Sequence, residues 1–336
     1  MKEVRLEGLS EHLVKPQRIV VTNHVNPDGD AMGSALGLAL ALKKLGHEVV
    51  VVVPNNYPEF LKWLPGTADV IIADAAMEKA VEAIEKSTLI FHLDYNAMNR
   101  AAQLAEKFEK ANAIKVLIDH HRQPESWPDY IFSDTEMSST SQMIYEWLQM
   151  NNWLHVLDAE IANCLYTGIV TDTGSFRFAV TTDRTHQIAA HLLELGVKPN
   201  LVYDRVFDSN SLGRLRLLGC MLDKLEYFQD KKAVLLHLGK SDLMKNNYQK
   251  GDSEGFVNYG LSIGGTALSI FLREDKDLVK VSLRSKGTLD VNELARAYFN
   301  GGGHMNAAGG SLPMPMAEAL AFSRKIINQQ VEETAK

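Results

Sequence analysis

Histidines and aspartates in this chain recur where they could share metal ions. His24, Asp28 and Asp30 stand in the polar run His24-Val25-Asn26-Pro27-Asp28-Gly29-Asp30. Asp94 closes one short apolar run, and Asp119, His120 and His121 close another. Asp172 lies in Gly168-Ile169-Val170-Thr171-Asp172-Thr173-Gly174. Singly, each has a bland reading: Asp-Gly is a turn signal, a strand-end Asp caps the next helix, and one of two adjacent histidines can simply be buried. Together they would gather the carboxylates of Asp28, Asp30, Asp94 and Asp172, each pair repelling by about 3 kcal/mol at roughly 5 Å and an effective dielectric of 20. Such a cluster needs protons or cations. Two divalent cations balance it, and oxygen and imidazole donors without thiolate suit Mn²⁺ or Mg²⁺. Two bridged metals are the arrangement that hydrolyses phosphate esters.

The elements that must position these residues follow from hydropathy patterning. Arg18 to Asn23, Glu48 to Val53, Thr88 to Leu93 and Ile114 to Ile118 read as strands, with a weaker one at Val70 to Ile72. Helices are expected over Ala31 to Leu45, Met77 to Lys86, Asn99 to Lys110, Ser138 to Met150, Asp158 to Val170 and Arg184 to Leu195. Strands alternating with helices predict an α/β domain with a parallel sheet. In such sheets ligands bind beyond the carboxyl ends of the strands, where the histidines and aspartates fall. Asn200 to Leu225 reads as one long connecting helix. Beyond it the alternation shortens, with strands at Lys232 to Leu238, Ala267 to Arg273 and Leu278 to Arg284, and helices at Val291 to Phe299 and Met316 to Gln329. The expected division is a domain over 1–199, a helical linker over 200–228 and a smaller α/β domain over 229–336.

The run from His24 to Ser34 resembles the first motif of the DHH phosphoesterases. Asp94 fits their second motif, Asp119-His120-His121 the third and Thr171-Asp172-Thr173-Gly174 the fourth. The resemblance implies that His24 and Asp28 hold one metal, that Asp30, His120 and Asp172 hold the other, and that Asp94 bridges them. It implies two divalent cations, Mn²⁺ first and Mg²⁺ or Co²⁺ as alternatives. Asp119 would orient a ligand histidine, and His121 would touch the phosphate or act as general acid.

In the second domain Arg284-Ser285-Lys286-Gly287 follows a strand, and Gly301-Gly302-Gly303-His304 precedes Ala307-Ala308-Gly309-Gly310. Arg284 can fork onto a phosphate, and successive glycine N–H groups can form an anion nest. These segments resemble the DHH-associated C-terminal domain, which implies that Arg284, Ser285, Gly301, Gly302, Gly303 and His304 bind substrate. Arg177 could contact substrate or make a surface ion pair. Among DHH proteins the two-domain combination resembles bacterial oligoribonucleases and 3′-phosphoadenosine 5′-phosphate (pAp) phosphatases. The expected activity is therefore hydrolysis of very short RNA and of pAp by two-metal-activated water. The alternatives are a linear or cyclic diadenylate phosphodiesterase and, ranked lower, a RecJ-like exonuclease, a manganese pyrophosphatase or a catalytically silent nucleotide-binding protein.

Composition narrows the partners. With 35 Lys and Arg against 42 Asp and Glu, the net charge of −7 argues against bulk binding of long nucleic acid. Cys164 and Cys220 are the only cysteines and read as small buried hydrophobes, excluding a disulfide scaffold. The charged start, Met1-Lys2-Glu3-Val4-Arg5, lacks a signal-peptide pattern, and no apolar run would span a bilayer. A cytoplasmic monomer or homodimer is expected.

Overall fold

The computed structural model describes residues 2–334 and divides into two compact units, Met1–Ser209 and Asn210–Lys336. The first contains strands β1 (Lys2–Arg5), β2 (Arg18–Thr22), β3 (Glu48–Val53), β4 (Ile71–Ile72), β5 (Leu89–Leu93), β6 (Ile114–Asp119) and β7 (Tyr130–Asp134). Its helices are α1 (Leu9–His12), α2 (Gly29–Lys44), α3 (Ala73–Lys86), α4 (Ala105–Lys110), α5 (Thr140–Met150), α6 (Ala159–Asp172), α7 (Asp183–Glu194) and α8 (Pro199–Val206).

The strands form one seven-stranded sheet in the order β1-β7-β6-β5-β2-β3-β4. All neighbours are parallel except β1, which runs antiparallel to β7. Alternate residues of a strand face opposite sides. Val21 and Phe91 pack into one core with Leu36 and Leu165, whereas Val20 and Ile90 pack into another with Tyr95 and Phe108. Helix α2, after β2, therefore covers one face, and α4, after β5, covers the other. The strand order reverses direction between β2 and β5. That is a topological switch point, where diverging loops open a crevice. The register pairs Thr22 with His92 and His92 with Leu117, so the segments leaving β2, β5 and β6 emerge at the same edge of the sheet.

The second unit contains α9 (Leu212–Asp223), β8 (Glu226–Phe228), β9 (Ala233–Leu238), α10 (Lys240–Lys245), β10 (Leu268–Glu274), β11 (Val279–Ser285), α11 (Val291–Tyr298), β12 (Gly302–Gly303), β13 (Ala307–Leu312) and α12 (Met316–Thr334). Its six-stranded sheet has the order β12-β13-β11-β10-β9-β8. Strands β9 and β10 pair in parallel, and the other described pairs are antiparallel. Helix α11 packs on one face with Leu283 and Ile270, and α9 on the other with Val234 and Phe271.

Several expectations are corrected. The helix expected over 200–225 is two helices, α8 and α9. The side chain of Ser211 accepts from Arg214 N, which starts a new helix where apolar periodicity alone runs through. Asn99 to Lys110, expected as a helix, is a 3₁₀ turn over Met98–Leu104 followed by α4. Strand β1 carries no apolar signal because all its residues are exposed on the sheet edge. Cys220 is only partly buried, unlike Cys164. Among the described residues no helix is long and apolar enough to cross a membrane.

Candidate metal centre

Asp28 begins the centre by doing two things at once. Its Oδ1 caps α2, accepting from Asp30 N at 3.1 Å and Ala31 N at 3.0 Å. Its Oδ2 stays on the other side, 3.9 Å from His24 Nε2. His24 holds its ring through Nδ1, 2.9 Å from Val25 O, so Nε2 carries the lone pair facing the carboxylates. His120 repeats the device: its Nδ1 lies 3.2 Å from Met137 O, and its Nε2 faces Asp172 Oδ2 at 3.4 Å and Asp30 Oδ2 at 3.9 Å. A backbone carbonyl on the far nitrogen is the usual support of a metal-ligating imidazole.

Asp94 stands between the two histidines. Its Oδ2 is 3.5 Å from His24 Nε2, and its Oδ1 is 3.6 Å from His120 Nε2. Potential ligand atoms of His24, Asp28 and Asp94 lie within 4.8 Å of one another, as do those of Asp30, His120 and Asp172. These groupings bring together the residues that the family resemblance pairs, and Asp94 faces both histidines.

Charge balance supports a cation fit. Burial, then the charges of Asp94 and Asp172, push Asp30 well above the usual carboxylate range. Burial also opposes ionisation of Asp94, but His120 and His24 outweigh it and hold Asp94 well below that range. Burial opposes the charged form of His120, yet Asp172, Asp94 and Asp30 raise it well above the ordinary histidine value. Protons thus stand in where positive charge is wanted, and the donors are oxygen and imidazole suited to Mn²⁺ or Mg²⁺.

Asp119 is held against His121. Its Oδ1 is 2.7 Å from His121 Nδ1, and its Oδ2 accepts from His121 N at 3.1 Å. The histidine it orients is His121, and potential ligand atoms of Asp94, Asp119 and His121 form a further group within 4.8 Å of one another. Burial and the nearby Arg100 hold His121 well below the usual histidine range, opposed by Asp94.

Other contributors carry no side-chain signature. The backbone N–H groups of Thr140 and Ser141, at the start of α5, donate to Asp30 at 2.6 and 2.8 Å, and Thr140 Oγ1 donates to Asp94 Oδ1 at 3.1 Å. The cap-forming run Ser138-Ser139-Thr140-Ser141 is the one sequence clue to this helix start. Helices α2 and α6 meet at glycines. A Cβ on Gly33 would lie 2.5 Å from Cys164 O, and one on Gly168 would lie 2.7 Å from Asp30 Oδ1. That close approach brings Asp172, at the end of α6, to Asp30, at the start of α2. Beyond Asp172, residues Gly174, Ser175 and Phe176 all have positive φ, and exposed Arg177 donates from Nε to Gly174 O at 2.7 Å.

In the second unit Arg284 lies near the end of β11, opposite Ala307, and its Nη1 donates to Leu283 O at 2.9 Å. The glycine segment is a hairpin, not an open nest. The N–H groups of Gly301, Gly303 and His304 donate to Ala295 O, Asn292 Oδ1 and Ala307 O. The glycines serve backbone packing: a Cβ on Gly301 would stand 1.9 Å from Gly309 O. Ser285 is buried, with its hydroxyl donating to Leu289 O and accepting from Asn306 Nδ2. Asn292 and Asn306, overlooked in the sequence, fix this hairpin.

The DHH family N-terminal domain model matches residues 18–169, and the DHHA1 domain model matches residues 231–333. The chain is 33% identical over 88% of its length, and 84% of the relative's, to the bifunctional oligoribonuclease and PAP phosphatase NrnA of Thermus thermophilus. It belongs to the DHH phosphoesterase family. This DHH phosphoesterase is also 28% identical to the NrnA of Bacillus subtilis, over 88% of this chain and 89% of that one. A solved exopolyphosphatase-related protein of Bacteroides fragilis has the same fold, with TM-score 0.94 and 36% identity over 98% of this chain and 97% of its own. As members of this family hydrolyse phosphate esters with the help of metal ions, so does this chain.

Proposed function

We propose that this DHH phosphoesterase hydrolyses very short oligoribonucleotides and pAp, using two divalent cations with Mn²⁺ preferred. The observation that carries the reading is Asp94, whose two oxygens face His24 and His120 at 3.5 and 3.6 Å. The activities named for the Thermus thermophilus and Bacillus subtilis relatives support the substrate class. His24, Asp28 and Asp94 would hold one cation, and Asp30, His120 and Asp172 with Asp94 the other. When bound, the cations supply Lewis acidity and a water of lowered pKa.

The chain's own residues do the rest. The Thr140 and Ser141 amides fix Asp30, and the Thr140 hydroxyl fixes one oxygen of Asp94. Asp119 holds His121 by Nδ1, so Nε2 is the ring atom that would meet substrate; to give a proton to the leaving oxygen the ring, held neutral by burial and Arg100, would first have to be protonated. Arg284 is the candidate cation for a terminal phosphate. A net charge of −7 supplies no general attraction for a long strand.

The alternative, hydrolysis of cyclic or linear diadenylate, has more distant relatives. The cyclic-di-AMP phosphodiesterase PdeA of Listeria monocytogenes is 28% identical over 93% of this chain, which spans 48% of that longer protein. The test strips metal with chelator, restores it with Mn²⁺, Mg²⁺ or Co²⁺, and compares pAp, a dinucleotide, a strand of about twenty nucleotides, linear and cyclic diadenylate, and pyrophosphate. Highest kcat/KM on the dinucleotide, with pAp also cleaved, is expected. Preference for cyclic diadenylate would move the assignment to the alternative, and preference for the long strand would overturn both.

A further inference from the structure

Behind Asp94 lies a buried group that the chemistry above does not use. His92, on β5, is wholly buried in the apolar face formed by Ile90, Tyr95, Phe108 and Ala113. A polar ring in such a place is costly unless it is bonded. Its Nδ1 is hydrogen-bonded to the hydroxyl of Tyr95, itself fully buried, while its Nε2 has no polar partner among the described residues. The rings of Phe108 and Trp127 stand edge-to-face around it, with centroids 5.0 and 4.7 Å away. Burial, with Lys115 next, pushes His92 down to about 3, so the ring is neutral. Burial and the charge of Asp119 push the Tyr95 phenol well above its usual value, so it keeps its proton.

The sequence distance between these partners is informative. Along a continuous strand, residues 92 and 94 would share a face and residue 95 would point the other way. Here Asp94 has φ 63°, a left-handed conformation that side chains with a Cβ disfavour and that Asp tolerates better than most. The chain turns at Asp94. Tyr95 swings onto the face of His92, while the Asp94 carboxylate turns toward His24 and His120. The Asp94 N–H still donates to Ile118 O at 3.2 Å, so the turn begins from a fixed point on β6.

We propose that the His92–Tyr95 hydrogen bond is a latch that holds Asp94 in this conformation, which makes Tyr95 a positioning residue for the carboxylate facing both ligand sets. The inference rests on the metal reading of those sets. Losing the latch lets the Asp94 peptide relax toward the ordinary strand conformation, and one of its oxygens loses its cluster.

The test uses the full chain, stripped of metal, with Tyr95→Phe, His92→Phe and the double variant. Tyr95→Phe removes a single oxygen from an otherwise unchanged ring. Mn²⁺ binding to the metal-free protein is read by titration calorimetry, folding by thermal melting, and turnover by kcat and KM on a dinucleotide. Tyr95→Phe should weaken Mn²⁺ binding and lower kcat about tenfold each, with KM near wild type and Tm lowered by a few degrees, because the buried His92 ring loses its hydrogen bond. His92→Phe should give the same loss, and the double variant no further loss, because either change alone opens the latch. Wild-type Mn²⁺ affinity in Tyr95→Phe would overturn the latch and leave the metal reading standing. Additive losses in the double variant would also overturn it. Absence of Mn²⁺ binding by the wild-type chain would overturn the metal reading itself.

Discussion

Gly168→Ala adds one methyl group at the point where α6 meets the start of α2. That Cβ would lie 1.9 Å from Ser141 Oγ, 2.8 Å from Ser141 Cβ and 2.7 Å from Asp30 Oδ1. The Ser141 hydroxyl can rotate away without losing a bond, since it is buried without a partner among the described residues. The other two contacts cannot be relieved so easily. Asp30 is pinned by two backbone amides at 2.6 and 2.8 Å. Ordinary contact begins near 3.4 Å, so α6 must back away by about 0.7 Å. Asp172 lies one helical turn further along the same helix and travels with it. Overpacking costs about 1–3 kcal/mol, and replacing a helical glycine by alanine returns about 1 kcal/mol, so Tm should fall by only a few degrees. Displacing a ligand by most of an ångström should cost far more, about 10- to 100-fold in kcat/KM, with weaker Mn²⁺ binding. The control is Gly219→Ala in α9, where the added Cβ meets nothing within 4 Å. It should leave kcat unchanged and raise stability slightly. Calorimetry, Mn²⁺ titration and dinucleotide hydrolysis on the three proteins decide the matter. A Gly168→Ala enzyme with wild-type Mn²⁺ affinity and kcat/KM would refute the claim that this contact sets the Asp30–Asp172 separation.

The adjacent histidines should separate in a metal assay: His120→Ala loses bound Mn²⁺, whereas His121→Ala keeps most of it and loses kcat. Equal metal loss in both would remove the division of labour drawn from the Asp119–His121 pair at 2.7 Å. Arg284→Ala should lower kcat/KM for the dinucleotide and for pAp by about ten- to a hundredfold, as expected for a lost charge-assisted contact. Unchanged kcat/KM on both substrates would take Arg284 out of phosphate recognition.

The sequence was readable where side-chain chemistry and local pattern coincide. Strands β2, β5 and β6 are β-branched or apolar runs that stop at His or Asp, and the register of a parallel sheet then brings those stops to one edge. Backbone-mediated features were not readable. The amides of Thr140 and Ser141 belong to no residue type in particular, so their grip on Asp30, 110 positions away in sequence, leaves no motif. Gly168 looks like any helix glycine until α2 is laid against it. The glycines from 301 to 310 read as an anion loop because the pattern for close strand pairing and the pattern for a nest are the same pattern. Asp119 could be assigned to either neighbouring histidine until the backbone direction was known.

The centre's design is that carboxylates serve as scaffold and ligand at once. Asp28 uses one oxygen to cap α2 and keeps the other toward His24. Asp30 spends hydrogen-bonding capacity on the first amides of α5, where the helix macrodipole also favours negative charge. Asp94 takes a hydroxyl from Thr140 and turns both oxygens toward histidines. Amides, a hydroxyl and imidazoles thus hold the four aspartates close, but only in part offset their charge. Asp30, pushed far above the ordinary carboxylate range by burial, Asp94 and Asp172, registers the remainder. A fold that satisfied this charge completely with Lys or Arg would be more stable without metal and would have no use for it. The charge these contacts leave unmet is what a bound cation would take up.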